Sequence, residues 1–122
     1  MFHSSLKGQQ IELWEKRTVV AALYEAKIGE EEILRLLKKY CHVDNEEALN
    51  IFQNERFINA PCRELEQYLL LEKGYDNEAT DLFINKHAVR VLANNPELSK
   101  LTPTKLYAVA KEHKEKQSKL ND

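Results

Sequence analysis

The chain has three glycines, three prolines, two cysteines and one tryptophan in 122 residues, and each shortage removes a class of explanation. Glycine and proline are the residues that most often end a helix, so their scarcity leaves long uninterrupted windows. None of the three glycines stands in a phosphate-cradling spacing such as GxGxxG or GxxxxGK, so nucleotide hydrolysis through a backbone cradle is not expected. Cys41 and Cys62 form no CxxC pair, which suits reduced thiols in a cytoplasmic protein better than a disulfide framework. No window approaches eighteen consecutive apolar residues, and the start MFHSSLKGQQ lacks the basic-then-apolar order of an export signal. Neither a membrane span nor secretion is expected.

Charge of one sign is also missing. Eighteen Lys and Arg against twenty Asp and Glu give a net charge of -2. That excludes a surface built wholly for nucleic acid, and equally an acidic DNA mimic, while a local basic patch stays compatible. What is present is a composition 43% hydrophobic and 31% charged, rich in helix formers. A chain of this length buries about two-thirds of its unfolded surface and folds without metal or disulfide staples.

Apolar residues recur at helical spacing throughout. Over 9–28, Leu13, Trp14, Val20, Ala21, Tyr24 and Ile28 share one side, and the segment VVAALY has no polar residue on any face. Gly29 is expected to end this helix as a C-cap residue. EEEILRLLKKY then places acids at the positive helix end and lysines at the negative end, with Ile33, Leu36, Leu37 and Tyr40 as its stripe. Asp44, three residues before Glu47, reads as an N-cap for a third helix to about residue 57. Pro61 reads as the first turn of a fourth, ending at Gly74, and Asp76 caps a fifth that runs to the break at Asn95-Pro96. PELSKL reads as a short turn, and Thr102-Pro103 opens the last helix, whose tail turns polar. No segment alternates as a strand would, so no sheet is expected. The expected fold is all-α: a compact bundle of about six helices, with a flexible start over 1–8, one helical domain over 9–117 and a flexible tail over 118–122.

An internal echo runs through this plan. DNEEALNIF and DNEATDLF begin 32 residues apart, and at the same offset EILRLL lies over ELEQYL. With Glu47 deleted, Ala48 falls on Ala79, Ile51 on Leu82 and Phe52 on Phe83. The units suggested are two pseudo-repeated helix-turn-helix pairs, about 30–58 and 61–93, packed on a long N-terminal helix. Helix caps select such residues anyway, so duplication and independent origin explain the echo equally well.

Chemistry-bearing residues are few. Cys41, His42, Cys62 and His87 sit in no metal-ligand spacing, and no metal or other cofactor is expected. Cys62 with His87 as its base is the one enzyme pairing worth weighing, yet nothing nearby supplies an oxyanion hole or an orienting partner. A non-enzyme is expected. The first reading is an interaction protein that docks a protein partner or a second copy of itself through Trp14, Val19, Val20, Leu23 and Tyr24 on the first helix. The alternative is a DNA-binding helix-turn-helix regulator from a bacterium or mobile element, with Asn85, Lys86, Arg90, Lys105, Lys111 and Lys114 as contacts. Against it stand Asp76, Glu78 and Asp81, which make the leading end of the recognition helix acidic. No small-molecule substrate is evident.

Overall fold

The computed structural model describes the backbone of residues 5–120 and the side chains of residues 15–119. It is all-helical, with 85% helix and no strand among the described residues. The segments are α1 (Ser5–Glu25), α2 (Glu30–Tyr40), α3 (Asn45–Asn54), α4 (Ala60–Leu71), α5 (Asn77–Phe83), α6 (Val89–Asn94) and α7 (Pro103–Leu120). π-helical turns at Glu55–Asn59 and Ile84–Ala88 link α3 to α4 and α5 to α6, and a 3-10 turn occupies Pro96–Lys100. Among the described residues these make five unbroken helices, against the expected six or so. Among the described residues no helix is long and apolar enough to cross a membrane.

The missing break is at Pro61. Sequence reasoning starts a new helix there, but the backbone stays helical through it. Proline has no N–H to give, and its ring collides with the carbonyl one turn back in a regular α-helix. A π turn immediately before it widens the ladder at the place where that collision would fall.

The end of α1 also differs from expectation. Gly29 is extended, with φ -68°, and serves as the N-cap of α2. The left-handed residue is Lys27, at φ 67°. Its amide donates to Tyr24 O at 3.0 Å and the amide of Ile28 to Leu23 O at 3.1 Å, which together form a Schellman close. Sequence reasoning chose the glycine because lysine carries a steric cost in that conformation.

The chain divides into two compact units, Met1–Glu55 and Arg56–Asp122. In the first, Val20, Ile33, Leu37, Val43, Ala48, Ile51 and Phe52 form the core, with Tyr24 edge-on to Phe52 at 6.1 Å. In the second, Leu65 and Leu69 of α4 pack with Phe83, Ile84, Ala88, Val91 and Leu92, and Leu106 and Ala110 of α7 close the core.

Each unit holds one turn-and-cap of the same design. Asp44 and Asp76 are extended, and each accepts from the amide three residues on, at 2.8 and 2.7 Å. Two residues before each aspartate stands a left-handed residue, His42 at φ 57° and Gly74 at φ 69°. The buried positions after the caps are Ala48, Ile51 and Phe52 in one unit and Thr80, Phe83 and Ile84 in the other. These keep the offset of 32 without any deletion, whereas Ala79 and Leu82 are exposed. Thr80 is tolerated in the core because its hydroxyl donates to Asp76 O at 2.8 Å.

Gly74 has open space where a Cβ would stand, so its φ is the only obstacle to a side chain. Gly74→Ala is therefore expected to cost about 1 kcal/mol, and His42→Gly to stabilise by a similar amount at most. Denaturant unfolding with an unchanged m-value checks both. Equal and same-sign shifts would contradict the assigned backbone. Removal of either cap, by Asp44→Ala or Asp76→Ala, is expected to cost about 1 kcal/mol.

Candidate functional site: a cation-lined cleft on the second unit

The second unit gathers its chemistry where the α5–α6 helix faces α7. Lys86 and Arg90 are four residues apart and so share a helix face, with His87 beside Lys86 in the π turn. On α7, His113 and Gln117 are four apart, as are Lys114 and Ser118. These seven side chains line a cavity of about 320 Å³. A second cavity, of about 540 Å³, shares Lys86, His87 and Lys114 with it and continues over Tyr75, Ala79, Leu82 and Phe83 to the turn at Gly74 and Asp76. One end is therefore cationic and the other apolar, with Leu82 53% exposed. Among the described residues neither Lys86, Arg90 nor Lys114 is ion-paired with a carboxylate.

The two histidines meet. His87 Nδ1 lies 3.1 Å from His113 Nδ1, with ring centroids 5.3 Å apart, and the His87 ring also leans on Phe83 at 5.7 Å. Burial first, and then the positive surroundings of His113, Lys114, Lys86 and Arg90, hold His87 below the ordinary imidazole range. Behind the cleft, the Tyr75 and Tyr107 hydroxyls are 3.3 Å apart, and that contact together with burial pushes Tyr75 up to about 12.

Three of the six DNA-contact candidates, Lys86, Arg90 and Lys114, come together here. The ammonium of Lys111 instead lies 5.9 Å from the Tyr107 ring centroid. Lys105 sits in the first turn of α7, its amide 3.4 Å from the Thr102 hydroxyl, and Asn85 is exposed without lining the cleft. Sequence reasoning passed over His113, Gln117 and Ser118. The four-residue spacings of His113 with Gln117 and of Lys114 with Ser118 are visible in the sequence, but their meeting with residues 23 or more positions away is a tertiary fact.

On the first helix, Val20 is fully buried in the core of its own unit, with Leu23 and Tyr24 packed against it. Val19 is 39% exposed and lines a separate cavity of about 460 Å³ with Lys16, Tyr40, Cys41 and His42. The side chain of Trp14 lies outside the described residues. Within VVAALY, Val20 is thus buried and Leu23 and Tyr24 pack partly against the core, whereas Val19 and Ala22 are exposed.

Cys62 and His87 do not form an activated pair. Burial pushes the Cys62 thiol up to about 11, and His87 bonds His113 instead. Among the described residues no three His, Cys, Asp or Glu side chains converge, so the histidine pair has no third metal ligand. No known family model, curated protein or solved structure matches the chain.

Because the folded state disfavours charged His87, the unfolded chain takes up a proton that the folded chain refuses as pH falls through about 6.5. Stability is full above that range and declines below it. The midpoint of urea unfolding is expected to fall from neutral to mildly acid pH, and to fall less in His87→Asn. Cys62 is expected to react with iodoacetamide about a hundredfold more slowly than a free cysteine, since two units of pKa remove that share of the thiolate.

Proposed function

We propose that the protein is a non-enzymatic, cytoplasmic interaction protein whose second unit docks an acidic segment of a protein partner in the cleft between α5–α6 and α7. The observation that carries this reading is the convergence of Lys86, Arg90 and Lys114, none ion-paired among the described residues, beside an apolar cavity edged by exposed Leu82. Gathering like charges costs free energy in the empty cleft, and an anionic partner relieves it. The neighbouring apolar cavity takes a hydrophobic side chain of the same segment, which supplies affinity that surface ion pairs alone do not.

DNA is the second reading, favoured by the same three cations. It has less support, because the unit carries eleven Lys and Arg against ten Asp and Glu. Duplex binding also draws on a longer row of phosphate contacts than one cleft provides. Asp76, Glu78 and Asp81 stand at the end of the helix that would enter the groove.

The architecture belongs to the same proposal. The repeated caps, left-handed residues and buried positions at an offset of 32 support a duplicated helix-turn-helix unit, one copy in each compact unit. The second copy packs against the basic α7 of its own unit.

A labelled peptide of mixed glutamate and leucine is expected to bind the full chain in fluorescence anisotropy. The Lys86→Ala/Arg90→Ala/Lys114→Ala variant is expected to bind it at least about tenfold more weakly, with its unfolding midpoint little changed. Tighter binding of a random-sequence DNA duplex than of the peptide at the same salt would overturn the order of the two readings.

A further inference from the structure

We propose that the partner of this cleft is a second copy of the chain, docked antiparallel across Leu82 so that the acidic start of α5 in each copy lies over the cations of the other. The inference rests on the reading of the cleft as a docking surface for an acidic, leucine-bearing segment and names the protein that carries the segment.

One row of side chains holds the pattern. Glu78, Leu82, Lys86 and Arg90 follow one another at intervals of four, so they stand in line along the outer face of the helix made by α5, its π turn and α6. All four are exposed, Leu82 by 53%. Among the described residues neither Glu78, Lys86 nor Arg90 is ion-paired within the chain. The row therefore reads acid, leucine, base, base. Asp76 and Asp81 add negative charge at its first end, and Lys114 of α7 adds positive charge at the other.

Such a row is complementary to its own reverse. When a second copy is turned by a half-rotation about Leu82, the position four residues before the leucine meets the position four residues after it. Glu78 of each copy then faces Lys86 of the other. Arg90 stands about 12 Å beyond the leucine and Asp76 about 9 Å before it, a difference that the long guanidinium arm spans. Rows of four-residue spacing are also the ridges by which helices most often pack. A parallel arrangement sets acid on acid and base on base, so charge selects the antiparallel one. Leu82 lies on the two-fold axis against its counterpart. With exposed Ala79 it supplies the apolar contact that surface ion pairs by themselves lack.

The first unit offers an internal comparison. At the offset of 32, the corresponding row is Glu46, Asn50 and Asn54, all exposed. The acid is kept, as the start of a helix favours, while asparagine stands in place of both the leucine and the lysine. The helix-turn-helix design thus does not require Leu82 or Lys86 on its outer face. Their presence in the second unit is accounted for by a surface that covers them. A contact of this size is modest, and the pairing it gives is reversible and concentration-dependent.

Sedimentation equilibrium of the full chain tests the pairing. The mean mass is expected to rise from one chain towards two with concentration, and to rise less in high salt. Leu82→Asp is expected to weaken the pairing at least about tenfold, with its unfolding midpoint little changed because the side chain is exposed in the single chain. Glu78→Lys makes both positions beside the leucine basic, and Lys86→Glu makes both acidic, so each variant alone is expected to stay a single chain. Mixed in equal amounts, the two are expected to pair with each other, a rescue that misfolding of either variant would not give. A mass that stays at one chain up to about 1 mM overturns the proposal. Pairing that ignores Leu82→Asp or either charge variant overturns it too, as does a mixture that stays unpaired. Where pairing is absent, binding of the glutamate–leucine peptide leaves the docking surface standing with a different protein as its partner, and loss of peptide binding removes both readings.

Discussion

The turn that joins α4 to α5 sets the register on which the second unit depends. A left-handed Gly74 reverses the chain, and two residues later the Asp76 carboxylate captures the Ala79 amide and fixes where α5 begins. From that origin the helical period sends Thr80, Phe83, Ile84, Ala88, Val91 and Leu92 inward. The same period leaves Lys86, His87 and Arg90 on the side that α7 approaches. A helix begun one residue earlier or later would rotate this whole set by about 100° and bury a lysine. The core thus follows from the cap together with the π turn at Ile84–Ala88, and the cleft needs in addition the approach of α7 to that turn.

Within that frame the cleft is an electrostatic exception. Elsewhere charges alternate in sign or pair locally, as Glu112 does with Lys116 at 3.1 Å. At the cleft three long cations and two imidazoles are gathered, and burial first, with the surrounding positive charge second, holds His87 below the ordinary imidazole range. The aromatic cluster behind it, in which Tyr107 meets Phe83, Tyr68 and Tyr75 at 5.5–6.3 Å, supplies a rigid apolar wall.

The fold class was legible in the sequence because helical periodicity and Asp caps are local signals, and both aspartates act as those signals imply. The junction at Pro61 was not, since a π turn is an adjustment of backbone geometry that no residue type announces. Lys27 was missed for a similar reason: glycine is the cheaper occupant of a left-handed position, and Gly29 stood two residues away. Deleting Glu47 to extend the echo matched residue types, Leu82 for Ile51, where burial matches Phe83 with Ile51 at a constant offset. At the site, Lys86, Arg90 and Lys114 were visible as basic residues, and His87 as a titratable one. Their convergence on His113 depends on how α7 lies against the π turn, which local sequence does not encode.

The distribution of aromatic residues gives the two compact units separate optical identities. The only tryptophan of the chain belongs to Met1–Glu55, while Tyr68, Tyr75 and Tyr107 are clustered in Arg56–Asp122. Light absorbed above the tyrosine band excites the first unit alone, and the near-ultraviolet signal of the tilted and edge-on phenol cluster belongs to the second. The cluster that walls the cleft thereby also makes its own melting visible against that of the neighbouring unit, without any label added to the chain.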